Sequence, residues 1–179
     1  MKIKKVLFCI MFWLISLTWG IIMTSIGLIV TGVLNLIKFC GAIDGYKLNI
    51  KTHINGCSLI TEVGGNWGGV ELGAVALCGN YSKTSPNWFE HTRRHEFGHA
   101  VQHLIFGPFF IFVVAIPSAC RYWYQRIMGK KGKRFPADWY DCNAWFEYTA
   151  SLWGTRLVNW LEETNHVYEY EGKYKSGTK

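Results

Sequence analysis

His95-Glu96-Phe97-Gly98-His99 is the stretch whose reading decides the fold and the chemistry of this chain. Two histidines four residues apart lie one above the other on a helix face, so both imidazoles can reach one tetrahedral Zn²⁺ at about 2.0–2.1 Å. Glu96 projects beside such a metal, where it can take a proton from an activated water. The pattern predicts a hydrolytic centre on a buried helix. Ser85 is placed to cap that helix, Pro86 to begin it and Gly107-Pro108 to stop it. Ala100, Val101, Leu104 and Ile105 give it an apolar side.

Four histidines, His91, His95, His99 and His103, climb this helix at four-residue steps. Only the pair His95 and His99 has a glutamate directly after its first member; the other two read as polar contacts. A catalytic zinc needs a third protein ligand and an open position. A third histidine six residues beyond His99 is absent, since Ile105 stands there. The better candidate is Glu147, within Trp145-Phe146-Glu147-Tyr148-Thr149-Ala150-Ser151. This segment reads as a second helix, entered near Asp141 and ending before Gly154, with Ala150 small enough for close approach. Aromatic neighbours favour burial of Glu147, and a buried carboxylate needs a partner.

The two segments resemble the gluzincin arrangement, in which the third ligand comes from a Glu-x-x-Ala-Asp-type segment, as in membrane metallopeptidases related to the CAAX prenyl proteases. A wider likeness runs from about Trp67 to Thr155. It rests on Asn66-Trp67-Gly68-Gly69-Val70, His95 to Gln102, Phe106-Gly107-Pro108, Ile116-Pro117-Ser118, Arg121-Tyr122-Trp123-Tyr124 and Trp145-Phe146-Glu147. In these the chain is similar to small, uncharacterised bacterial membrane proteins regarded as metallopeptidases. The resemblance implies a zinc site of His95, His99 and Glu147, with Glu96 as general base in peptide hydrolysis. Ser151 departs from it: an aspartate there would orient a ligating imidazole, whereas serine hydrogen-bonds without charge.

Composition fixes the setting. The chain has 179 residues, 50% of them apolar and 16% aromatic, which is rich for a soluble protein of this size. Val6 to Ile37 carries no charge, and as one helix would run about 48 Å against a hydrocarbon core of about 30 Å. It must tilt, break near Trp19-Gly20, or turn back. Met1-Lys2-Ile3-Lys4-Lys5 resembles the start of a signal peptide, yet no Ala-x-Ala-like cleavage site follows and no lipobox precedes Cys9 or Cys40. A retained anchor is expected over 1–40, a metallopeptidase domain over 41–168 and a frayed polar tail over 169–179.

Lys2, Lys4 and Lys5 place the N-terminus in the cytoplasm by the positive-inside rule. A single span would export the site; a break at Trp19-Gly20 would keep it inside. Arg121 to Arg134 holds six basic residues and no acidic one, suited to anionic lipid on the cytoplasmic side of a bacterial-type membrane. The expectation is therefore a cytoplasm-facing site. The net charge of +7 comes without a zinc-finger, helix-turn-helix or RNA-binding signature, which argues against a nucleic-acid partner. Phe109 to Ile116, ended by Pro117, is too short to span and reads as a core, re-entrant or interfacial segment.

Strands are expected around Leu59 to Val63 and Val70 to Leu77, flanking Gly64-Gly65-Asn66-Trp67-Gly68-Gly69, which reads as a hairpin or a tight strand connection. An edge strand there could pair with substrate backbone. The six cysteines form no Cys-x-x-Cys pair and fit reduced thiols, with Cys57 and Cys78 able to pair if the domain is exported. The fold expected is α+β: a membrane helix or helical hairpin followed by a small zincin-like domain. Tyr140, Tyr148 and His91 are candidates to stabilise an oxyanion. Two rival functions remain open. One is an intramembrane site-2-type protease using Asp138 or Asp141. The other is a non-enzymatic membrane protein that keeps a zinc site for stability or partner binding.

Overall fold

The computed structural model describes residues 2–41, 50–65, 67–80 and 87–174. The expected cap Ser85 and first residue Pro86, Asn66 of the glycine-rich segment and residues 175–179 of the tail lie outside them. The order is α1 (Lys2–Thr18), α2 (Ile21–Phe39), β1 (Lys51–Asn55), β2 (Ser58–Val63), β3 (Gly69–Leu72), β4 (Val75–Gly79), α3 (Trp88–Phe106), α4 (Ile116–Lys130), α5 (Trp139–Cys142) and α6 (Trp145–Glu162). The class is α+β, as expected.

The uncharged N-terminal run breaks at Trp19-Gly20, at one of the expected places. Two contacts demand a small residue near the break. A Cβ on Gly20 would lie 2.9 Å from His103 Nδ1, and one on Gly107 would overlap the Trp19 ring, 2.5 Å from its Cδ1 and closer to Nε1. Gly107, with φ at +52°, also ends α3 where the sequence placed the stop. Beyond it the chain passes through one 3₁₀ turn and a π turn, Ile111–Ala115, and bends by 118° before α4. Pro117 does not end this apolar segment; it occupies the first turn of α4, where its missing N–H costs nothing.

The α2 helix has an inverted polarity. Its small and polar residues face the sheet. Thr31 Oγ1 lies 3.1 Å from Thr61 Oγ1, Asn35 donates to Thr52 Oγ1 at 2.9 Å and Lys38 donates to the Ile50 carbonyl at 2.7 Å. Gly27 lets the helix lie against the Leu72 and Val75 side chains. Ile22, Ile26, Ile29, Val33 and Leu36 point outward, with Ile29 66% exposed. This 19-residue helix is about 28 Å long, close to the thickness of a hydrocarbon core. It is long and apolar enough to cross a membrane.

The sheet order is β1-β2-β4-β3. One expectation fails here, and one open alternative is decided. Val70 to Leu77 is not one strand but a tight hairpin, β3 and β4, turning at Gly73-Ala74. Gly73 has φ at +79° and lies against the Thr24 backbone, so only glycine fits. Of the two readings of the glycine-rich segment, the strand connection holds and the hairpin does not: β2 is followed by β3, while β4 enters the gap and pairs parallel with β2. The polar β1 was not foreseen.

The cysteine reading also changes. Cys57 pairs with Cys9 of α1, not with Cys78, which is buried and reduced. The bond sits beside the main core cluster of Phe12, Ala74, Phe97, Ala100 and Val158, which joins α1, α3 and α6. The described part of the tail is held rather than frayed: Gly172 N–H donates to the Tyr148 hydroxyl at 2.8 Å, and Arg156 pairs with Glu171.

Candidate metal centre

The site is built where α3 and α6 cross, and their closeness is set by missing side chains. A methyl on Gly98 would overlap the Ala150 carbonyl, and one on Gly154 would overlap the Arg94 carbonyl. Gly154 is thus not a helix end, as its type suggested, but an interior contact; α6 runs on to Glu162. Buried Arg94 adds a polar tie, bonding Glu90 on its own helix and Asn159 Oδ1 of α6 at 2.8 Å.

This approach brings together His95 and His99 of α3 and Glu147 in the first turn of α6. All three are buried, and one ligand atom from each lies within 4.8 Å of the others. His95 Nε2 stands 3.1 Å and His99 Nε2 3.4 Å from Glu147 Oε2. Among the described residues this is the group able to hold a metal ion.

The other ring nitrogens fix what faces the centre. Gln102 donates its amide N–H to the Phe146 carbonyl at 2.7 Å, so its oxygen faces His99 Nδ1 at 2.8 Å and must accept from it. Ser151 donates its hydroxyl to Asp141 Oδ1 at 3.1 Å, leaving its oxygen to accept from His95 Nδ1 at 2.7 Å. With both Nδ1 atoms donating, each neutral ring presents a lone pair at Nε2. Two lone pairs and a carboxylate that is 0% exposed then converge. Such a set repels itself unless a cation sits among its members, so the residues fit a metal.

A proton can also serve. Burial lowers the basicity of His99, but Glu147 outweighs it and lifts the pKa to about 9. Glu147 answers in kind: burial raises its carboxyl, yet hydrogen bonds from His95 and His99 bring it below the ordinary range.

The sequence singled out Ser151 as uncharged where a carboxylate would help. The structure supplies that charge one bond further out, through Asp141, which reaches His95 only by way of Ser151. Neither Gln102 nor this Asp141 relay was foreseen. Gln102 could have been found, because a residue three positions after a ligand shares its helix face.

Glu96 is buried and opens on a cavity of about 720 Å³ that also exposes His95, His99, Gly69, Glu71 and Tyr140. Burial raises the Glu96 pKa; the two histidines oppose the rise and Glu147 adds to it. Gly69 runs against it so closely that a Cβ would fall 2.5 Å from Oε1. Of the oxyanion candidates, Tyr140 lies in this cavity, its hydroxyl 2.9 Å from Ser118 Oγ. Burial, then the Glu147 charge, raises its pKa and keeps it protonated. Tyr148 bonds to the tail instead. His91 sits at the mouth, its ring 6.3 Å from that of His95, with Nε2 4.0 Å from Asp141. His103 is buried at the far end of α3 against Phe110. No protein-family model matches the chain, and neither a curated protein nor a solved structure is found to be similar to it.

Proposed function

We propose that this protein is a membrane-bound zinc peptidase of the gluzincin type. The observation that carries the reading is the convergence of His95 Nε2, His99 Nε2 and Glu147 Oε2 in a cavity that also holds the buried Glu96. Two imidazoles and one carboxylate suit Zn²⁺, which His₂Glu sets commonly hold with one position open. Zinc bound there would lower the pKa of a water molecule and polarise the scissile carbonyl.

The chain's own residues supply the remaining steps. Ser151 and Gln102 keep the two rings in the ligating tautomer. Glu96 takes a proton from the attacking water and returns it to the leaving amine; burial raises its pKa toward that of a group able to do both. Tyr140, protonated and in the same cavity, donates to the oxygen that gains charge. A site-2-type ligand set is disfavoured because Asp141 serves Ser151 while Glu147 fills the third position.

The apolar outer face of α2 supports burial in lipid. The break at Trp19-Gly20 agrees with a site on the cytoplasmic side, whereas the Cys9–Cys57 disulfide favours an oxidising compartment; we give the disulfide more weight and propose an exported site. Lys5, which argued for the cytoplasm, is paired with Glu163 at 2.7 Å and so counts for less as a free charge.

The test is zinc content and casein or peptide-library cleavage in detergent-purified wild type, His99→Ala, Glu147→Ala and Glu96→Gln. One zinc in wild type, lost in the first two variants and kept without cleavage in the third, is the expected result. Full zinc in Glu147→Ala would remove that ligand; zinc without any cleavage would favour a binding protein.

A further inference from the structure

Glu71 is the one buried carboxylate of the cavity that the proposed chemistry does not use. It is 5% exposed, and neither of its oxygens accepts a side-chain hydrogen bond. Among the described residues no lysine or arginine pairs with it; the His99 imidazole acts on it from a distance and the backbone of Gly73 on its own turn adds less. Glu147 is met by two imidazoles at 3.1 and 3.4 Å and Glu96 handles a proton, whereas no side chain reaches either oxygen of Glu71 with a hydrogen bond. A buried carboxyl whose oxygens no side chain satisfies is costly, and it persists where a ligand supplies the missing donor, best of all a cationic one.

Its place in the fold says which part of a ligand that would be. The β3 strand is an edge: it pairs with β4 on one side, and its residues Gly69, Val70 and Glu71 line the cavity. Gly69 and Glu71 lie on one face of the strand, two residues apart. Gly69 touches Glu96, so it marks the position of the reacting bond. Glu71 follows about 6.7 Å further along, the rise of two strand residues, which is one or two residues along an extended peptide laid beside β3.

We propose that Glu71 forms a subsite for a positive group of the substrate, an ammonium or guanidinium carried within two residues of the cleaved bond. This rests on the peptidase reading for the identity of the ligand as a peptide. The same chemistry can come from a free α-amine, which would make the protein an aminopeptidase, or from a lysine or arginine side chain, which would make it an endopeptidase selective for basic residues.

The experiment uses the full zinc-loaded chain in detergent, carrying Glu96→Gln so that peptides bind without turnover. Labelled peptides on one scaffold are compared by fluorescence anisotropy: neutral with a free α-amine, acetylated with lysine, acetylated with arginine, and acetylated and neutral. At least one cationic peptide is expected to bind about tenfold or more tightly than the acetylated neutral one, as a desolvated charge-assisted hydrogen bond allows. Adding Glu71→Gln should bring that ratio close to one while zinc stays bound. A free-amine preference identifies the α-amine source, and a lysine or arginine preference the side chain. The proposal is overturned if all four peptides bind alike, if none binds, if the preference survives Glu71→Gln, or if that change releases zinc. Cleavage by the chain with Glu96 intact is scored separately. A cation preference without cleavage removes the peptidase and leaves the subsite; cleavage without preference does the reverse.

Discussion

Replacing Gly98 by alanine sets two effects of opposite sign against each other. In an isolated helix the change is favourable by about 1 kcal/mol, because alanine has less backbone freedom to lose. Here the added methyl would stand 2.5 Å from the Ala150 carbonyl carbon and 2.6 Å from its Cα, whereas ordinary contact begins at 3.4 Å. Both partners are helix backbone and cannot rotate away. The Ala150 carbonyl oxygen is closer still, so relief requires α3 and α6 to part by about 1.5 Å, and overpacking of this kind costs about 1–3 kcal/mol or more. The site magnifies the effect. Glu147 rides on α6 and the two histidines on α3, while metal–ligand distances tolerate only about 0.2 Å. Gly98→Ala should therefore lower the melting temperature modestly and weaken zinc binding by about 100-fold or more, the larger loss falling on the metal. Chelator competition and thermal melting of the same sample measure the two. Zinc affinity within threefold of wild type at an unchanged melting temperature would refute the argument that backbone contact sets the geometry of the centre.

Ser151→Ala and Asp141→Asn should each weaken zinc binding by about 10–100-fold, since one removes the acceptor for His95 Nδ1 and the other its charge; chelator competition would count against the relay if both matched wild type. His103 is buried, and burial holds its pKa at about 4, below the unfolded value near 6.5. The unfolded chain thus binds the proton more readily, so this contribution to stability is complete above pH 6.5 and is lost as pH falls toward 4, by up to about 3 kcal/mol. Denaturant melts at pH 7.5 and 4.5 should show that loss, and His103→Leu should reduce it. Cys9→Ser opens a link between residues 48 apart in sequence, for which chain entropy gives about 4 kcal/mol. Denaturation with and without reductant should reproduce that destabilisation in wild type and show no reductant effect in the variant.

The centre was legible because its chemistry is local. His95, Glu96 and His99 announce themselves by spacing on one helix, Gly107 stops that helix as read, and the aromatic setting of Glu147 with the small Ala150 pointed to a buried partner helix. What escaped depends on neighbours distant in sequence. Gly154 looks like a helix end unless one knows that the Arg94 carbonyl rests on it. The β1 strand, Lys-Thr-His-Ile-Asn, is polar and mostly exposed, so no alternation marks it. The parallel pairing of β2 with β4 cannot be inferred from a turn, because no turn joins them. Cys57 found Cys9 rather than Cys78 because α1 packs on the core, a fact that a run of apolar residues does not encode.

The inverted polarity of α2 reorders what evolution can change there. In a soluble helix the large aliphatic residues are the guarded ones and the threonines drift. Here an aliphatic residue facing outward, such as Ile29, packs against nothing in the fold, so with α2 in lipid as proposed it is exchangeable for almost any other oily side chain. Constraint falls on Thr24, Gly27, Thr31 and Asn35, whose size and hydroxyl or amide groups are read by the sheet. Within this helix, ranking positions by hydrophobicity would rank their importance upside down.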